Sequence, residues 1–234
     1  MRGFLGILFL CSGHWLSAQL YFGGGYQYAS GAYELINSAV EKYNSYRPQQ
    51  FDPLDALSEL HGPSLSLGVG LGGQSINLDV AFLGATLDAS NIRNGERFDT
   101  ELDISQTSAS LVFGAFPEPG DGFALGIGGA LVYSYTTVRL TTNDPELGVQ
   151  AQAPIDQYNA LGFAPTVQTF VGLNDFLFFY FKPSYLIDLF DNDTYTLHKA
   201  LNPNNYQNDE QGEFTGRFSG LQLQAGLVIN FSGF

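Results

Sequence analysis

Few residues in this 234-residue chain are equipped for chemistry, and their spacing is loose. Of the three histidines, His14 belongs to a leader segment, which leaves His61 and His198. The stretch His61-Gly62-Pro63-Ser64 sets an imidazole close to a hydroxyl, the pairing that nucleophilic acyl transfer requires. A lipid-modifying site would also need an acid at a recognisable spacing, and neither histidine has one. Both read as rim histidines, and no catalytic residue is assigned. The other candidates are the ionisable residues that interrupt apolar, alternating segments: Asp79, Asp103, Lys182 and Asp188. Lys182 is the only base among them. It is expected to pair with Asp79 or Asp188 inside a closed structure, as a space-filling ion pair or as a gate or charge filter. Asp191-Asn192-Asp193, Asp209-Glu210 and Glu213 offer carboxylate oxygens, but their spacing matches no calcium loop. No metal site and no cofactor is expected.

Such groups must be held by some scaffold, and composition narrows the choice. Charged residues make up only 14% of the chain, while aromatics reach 15% and glycines number 28. That mixture disfavours helices, because glycine and aromatic residues are weak helix formers. Nine basic residues stand against 23 acidic ones, a net charge of −14. Nucleic-acid binding, which needs a basic face, is excluded on that balance, as is docking by a polybasic patch on anionic lipid.

The first 18 residues read as a secretory signal peptide. Met1-Arg2 carries the positive charge, Phe4 to Cys11 is the apolar run, and Ser17-Ala18 supplies the small residues before a cut. Leu10 is too large to precede a lipidated cysteine, so lipidation at Cys11 is rejected. Residues 19–234 form a single domain with no cysteine, which excludes disulfides, thiol catalysis and cysteine-ligated zinc.

That domain contains no apolar run long enough for a transmembrane helix. It alternates with period two over eight segments, near 19–29, 63–72, 75–87, 101–115, 122–138, 159–173, 176–189 and 217–231. One face of each is Leu, Ile, Val, Phe or Tyr; the other is Gly, Ala, Ser, Asn or Gln. Short connections follow the second, fourth and sixth segments. Long ones, near 30–62, 88–100, 139–158 and 190–216, follow the first, third, fifth and seventh. This predicts an all-β fold: an eight-stranded antiparallel transmembrane β-barrel with short periplasmic turns and long extracellular loops. Leu35, Ile36, Ala39, Val40 and Tyr43 recur at helical spacing and predict a short helix over the barrel mouth in the first loop. Tyr26, Tyr28, Tyr133, Tyr135 and Tyr185 suit one interfacial girdle, and Phe22, Phe123 and Phe231 the other. Pro165 and Pro183 fall almost opposite each other, where a bulge or kink is expected.

In this pattern the chain resembles the small OmpA/OmpX-like, porin-family outer-membrane barrels of Gram-negative envelopes. The resemblance covers the whole mature chain and includes its end, Leu227-Val228-Ile229-Asn230-Phe231-Ser232-Gly233-Phe234. It implies that Phe231 and Phe234 form the signal read by the barrel-assembly machinery, with Phe234 out of phase with the preceding apolar positions. The acidic loops, 18 acids against 7 bases over 30–62, 88–101, 139–158 and 188–217, suit a surface where divalent cations bridge lipopolysaccharide. The expected function is non-catalytic: surface binding or envelope support through the extracellular loops. A narrow pore for ions or small polar solutes is the alternative, and a lipid-modifying enzyme comes third.

Overall fold

The computed structural model of the chain describes residues 19–31, 33–47, 50–70, 73–115, 122–144, 147, 154–203 and 215–231. Residues 1–18, where a signal peptide is expected, lie outside the described residues with Asp209, Glu210, Glu213 and Phe234, as does the side chain of Leu35. The elements are β1 (Gln19–Gly31), α1 (Glu34–Tyr46), β2 (Gln50–Asp52), β3 (Glu59–Gly70), β4 (Ser75–Arg93), β5 (Glu96–Ala115), β6 (Phe123–Thr142) and β7 (Pro154–Gly172). There follow β8 (Leu177–Asp188), β9 (Asn192–Asp193), α2 (Tyr195–Leu201), β10 (Thr215–Gly216) and β11 (Gly220–Asn230). Eight of the strands pair in the ring β4-β3-β1-β11-β8-β7-β6-β5, and β5 returns to β4 to close it. β2 adds a short pairing to the outer end of β4. All pairings are antiparallel. The last strand closes on the first, from Tyr21↔Asn230 to Gly31↔Gly220.

Closure follows from the sequence pattern. A sheet with an apolar outer face spans lipid only if no edge leaves backbone groups unpaired. At membrane level the outward residues are Ile76, Leu78 and Phe82 on β4, Leu111 and Phe113 on β5, and Leu125, Ile127 and Leu131 on β6, all exposed. Their inward neighbours are Asn77, Asp79, Ser108 and Ser134, all buried. Farther along the same strands the polarity inverts. On β5 the inward residues become Leu102 and Ile104 and the outward ones Glu101 and Asp103. On β6 they become Val138 and Leu140 inside and Arg139 outside.

This inversion corrects one sequence expectation. The stretch 88–100 is not a long loop. β4 and β5 run 19 and 20 residues, about twice the 9–11 that a tilted strand needs to cross a bilayer. They stay paired to Arg93↔Glu96. The reversal is the two-residue turn Asn94-Gly95, both at positive φ (54° and 84°). Asn-Gly is the favoured pair for a tight hairpin turn, because both positions must be left-handed. β6 and β7 are equally long, at 20 and 19 residues. Four tall strands therefore make a wall that rises beyond the membrane on one side of the ring.

α1 packs into the concave face of that wall. Its helical stripe is buried as expected at Ile36, Ala39, Val40 and Tyr43. Two asparagines on the helix clamp the following coil. Asn37 donates to Leu57 O (3.0 Å) and accepts from Leu57 N (2.7 Å). Asn44 does the same with Leu54, at 2.8 and 3.1 Å. Leu54 and Leu57 are thereby held in one apolar core with Leu102, Ile104, Val138 and Leu140 from the wall and Leu197 and Leu201 from α2.

At the two prolines, where a bulge or kink is expected, the ladder is interrupted. β7 and β8 keep one register from Gly162↔Asp188 to Gly172↔Phe178, so no bulge is inserted. The ladder instead has gaps: Ala164, Pro165, Val167 and Gln168 lack partners on β8. A proline has no N–H, so a carbonyl across the seam loses its donor, and in lipid such a group costs several kcal/mol. Thr166 Oγ1 donates to Ala164 O (2.9 Å) and Thr169 Oγ1 donates to Phe181 O (3.1 Å).

Candidate functional site: the lumen and its mouth

Eight strands enclose an interior just wide enough for side chains to fill, and here it is filled by a floor, a polar belt with a small apolar cluster of Val112, Ala130, Val132, Ala164 and Leu186 beside it, and a mouth. The floor, at the periplasmic end, is Tyr21, Phe170, Phe178, Tyr180 and Val228, all buried. Tyr21 and Phe170 meet edge to face with ring centroids 6.0 Å apart. Tyr21 lies flat across the lumen because β3 offers Gly68 beneath it: a Cβ there would stand 2.2 Å from the ring. The tyrosine hydroxyl donates to Asn77, whose amide donates to Gln168 (3.1 Å).

Above the floor is a polar belt. Lys182 from β8 pairs with Asp79 from β4, and Ser66 from β3 donates to the other oxygen of that carboxylate. Both charged side chains are about 95% buried. Gln224 donates to Ser64 beside them (3.0 Å). A cavity of about 20 Å³ adjoins the pair, lined by Thr166, Ser184, Gln222 and Gln224 among others. That is room for a water or two. Alternation places all these groups inward, and closure of the ring brings β4 and β8 face to face.

Asp188 does not join the pair. It lies on the same strand six residues beyond Lys182, about 20 Å away at ~3.3 Å per residue. It is fully buried at the outer end of the barrel, where it accepts from Phe218 N (3.2 Å) and Asn192 Nδ2 (3.4 Å). Its work is to tie β8 to the chain that leads into β11. Asp103 points outward, half-exposed, and accepts from Thr86 Oγ1 (2.8 Å).

The third layer is the apolar core at the mouth, where α1 and α2 lie against the tall wall. Tyr43 Oη donates to Thr100 Oγ1 (3.2 Å), and the Arg47 guanidinium sits 4.2 Å over the Tyr43 ring. Burial raises the Tyr43 hydroxyl above its ordinary pKa. Asp156 is also shifted upward, chiefly by burial, although Tyr158 Oη (2.6 Å) and Leu197 N (3.0 Å) donate to it. Burial and the adjacent carboxylate push the Tyr158 hydroxyl up in turn.

The histidines part company. His61 is on the outer face, stacked on Tyr26 with ring centroids 5.8 Å apart and hydrogen-bonded to its hydroxyl. Ser64 points into the lumen, so the pairing suggested by sequence proximity is not made. His198 is buried, and its Nε2 lies 3.0 Å from Ser38 Oγ, joining α2 to α1. Sequence spacing could not show this contact, because the partners are 160 residues apart. Asp191 pairs with Arg217 (2.9 Å) and Asp193 accepts from Tyr195 N (2.8 Å). Among the described residues, no group of three His, Cys, Asp or Glu side chains is placed to hold a metal. Phe231 is exposed beyond β11, and its N–H reaches Leu20 O (2.9 Å), so it seals the seam between the last and first strands.

A closed ring with an unbroken apolar band outside and a polar belt inside is stable only with lipid around it. The chain is a transmembrane barrel of the outer-membrane kind. No family model and no curated protein matches it. Among solved structures it is similar to the outer membrane protein OprG from Pseudomonas aeruginosa, at 13% identity over 92% of this chain and 96% of that one, with a TM-score of 0.49. It is similar to Neisserial surface protein A at 10% identity over 92% and 97% of the chains, with a TM-score of 0.44. It is also similar to Ail, the attachment invasion locus protein of Yersinia pestis, at 8% identity over 92% and 97%, with a TM-score of 0.42. The barrel assignment rests on the ring of strand pairings itself.

Proposed function

We propose that this is a non-catalytic outer-membrane protein whose role, binding or envelope support, is carried by its extracellular half. One observation supports this above the others: the barrel mouth is a packed apolar core, from Ile36 and Val40 on α1 to Leu102 and Leu140 on the wall. Such a core makes a rigid platform outside the cell and, among the described residues, packs the mouth with apolar side chains. The aromatic floor closes the other end. The narrow-pore reading would need both layers to move. The platform's outer wall carries Asp88, Asp99, Glu101 and Asp103, which suits partners bearing positive charge or divalent cations that bridge lipopolysaccharide. Assembly would run through the barrel-assembly machinery, with Phe231 and Phe234 in its signal.

Single-channel recording of the refolded chain in a planar bilayer tests the reading. Folded barrels, verified by heat-modifiable migration, should give no conductance steps. Reproducible steps would overturn it and move the function into the lumen.

A further inference from the structure

The polar belt is shut off along the barrel axis, by the apolar core at the mouth and by Tyr21, Phe170, Phe178 and Tyr180 at the floor. Sideways it comes close to the surface at the β7–β8 seam. A groove of about 400 Å³ lies there on the lipid-facing side, lined by Ile127, Val167, Tyr185 and Leu221 together with Pro165 and Pro183. Thr166 and Ser184 line both this outer groove and the inner cavity that holds Lys182.

Two features converge on that seam. The strand ladder is interrupted on both sides of Thr166↔Ser184, at Ala164-Pro165 and at Val167-Gln168. Of the inward positions on β8, from Phe178 through Asp188, only Ser184 is not buried. At this seam an apolar groove thus lies outside, a hydroxyl at the threshold and an ammonium group behind it.

We propose that the β7–β8 seam is a binding site, entered from the bilayer, for a single-chain amphiphile with an anionic head, a fatty carboxylate. The alkyl chain lies in the groove against Val167, Tyr185 and the two proline rings. The carboxylate passes the threshold at Ser184, which donates a hydrogen bond, and meets the Lys182 ammonium in competition with Asp79. The bilayer position of the groove fixes the chain end of this ligand, and Lys182, the lone buried cation of the belt among the described residues, fixes the sign of its head.

The single cysteine, Cys11, precedes β1, so a chain produced from Gln19 carries no thiol and one can be placed at will. Ser110→Cys puts a thiol on the wall of the inner cavity with little change of size. Refolded into phosphatidylcholine vesicles, this variant should react with dodecyl methanethiosulfonate, which partitions into the bilayer. It should fail to react with the trimethylammonium-ethyl reagent, which stays in water. Palmitate should protect the thiol. Replacing Pro165 and Pro183 by Val, singly and together, restores backbone donors and should abolish modification by the alkyl reagent. Ser184→Ala should leave that access intact but raise the palmitate concentration needed for protection about tenfold, the loss of one hydrogen bond to a charged group. Reaction with the charged reagent would overturn the proposal in favour of an axial water path. It is overturned equally if palmitate gives no protection, or if neither reagent reaches Ser110→Cys while a Leu111→Cys control on the lipid face is modified.

Discussion

The two halves of this barrel obey opposite rules. At membrane level Leu111 on β5 faces out and Ser108 faces in. A few residues farther along, Glu101 and Asp103 face out and Leu102 and Ile104 face in. The strand, its pleat and its pairing partner are unchanged; only the solvent outside differs. In lipid the apolar face is the exposed one, and the lumen collects the polar groups. In water the hydrophobic effect again drives apolar side chains inward. The outer half therefore packs like a water-soluble protein, with helices covering the concave side of a sheet. The membrane half is held by its closed ladder and a few satisfied polar networks. A single continuous hairpin carries both regimes.

The largest effect expected from breaking this contrast is at the buried ion pair. Lys182→Met or Asp79→Leu alone leaves an uncompensated charge in the belt and should cost about 3–5 kcal/mol, whereas the double replacement should recover most of that. Denaturant unfolding of the three variants in detergent checks it, and equal losses in the singles and the double would show that the pair is not coupled. Next in size is a charge placed on the two outer faces of β5. Leu111→Lys should cost about 2–4 kcal/mol, because it puts an ammonium in the bilayer. Ser105→Lys, six residues away on the same face, should stay within about 0.5 kcal/mol. Similar penalties would mean that the polarity inversion does not mark the membrane boundary.

A smaller effect belongs to the hairpin tip. Gly95→Ala forces a side chain into a left-handed position and should cost about 1–2 kcal/mol. It should be felt first as faster amide exchange near Arg93 and Glu96, with the membrane half untouched. The smallest is a pH dependence at the mouth. Burial raises the Asp156 carboxyl in the folded state, so folding favours its protonated form. The resulting stabilisation is present at low pH and is lost as pH rises from the ordinary aspartate range through the raised folded value. Asp156→Asn should flatten the stability profile over that window, and an unchanged profile would remove Asp156 from the account.

Period-two alternation, with turn lengths that alternate short and long, determined the class, the strand count and the inward placement of Asp79 and Lys182, because the pleat leaves only two faces. The helix at Glu34–Tyr46 was legible for the same kind of reason, a stripe at 3.6-residue spacing. The extent of the strands beyond the membrane was not read. Charged residues such as Asp88 and Glu101 resemble loop residues when alternation is judged by apolar content alone, and the Asn94-Gly95 signal was the clue to the hairpin. Which acid meets Lys182 depended on the stagger of strands around the ring, and a sequence does not state that stagger. The contact of Ser38 with His198, the packed mouth and the shared lining of the β7–β8 seam belong to closure alone. They join side chains far apart in the chain, and their distances are set by how eight tilted strands meet.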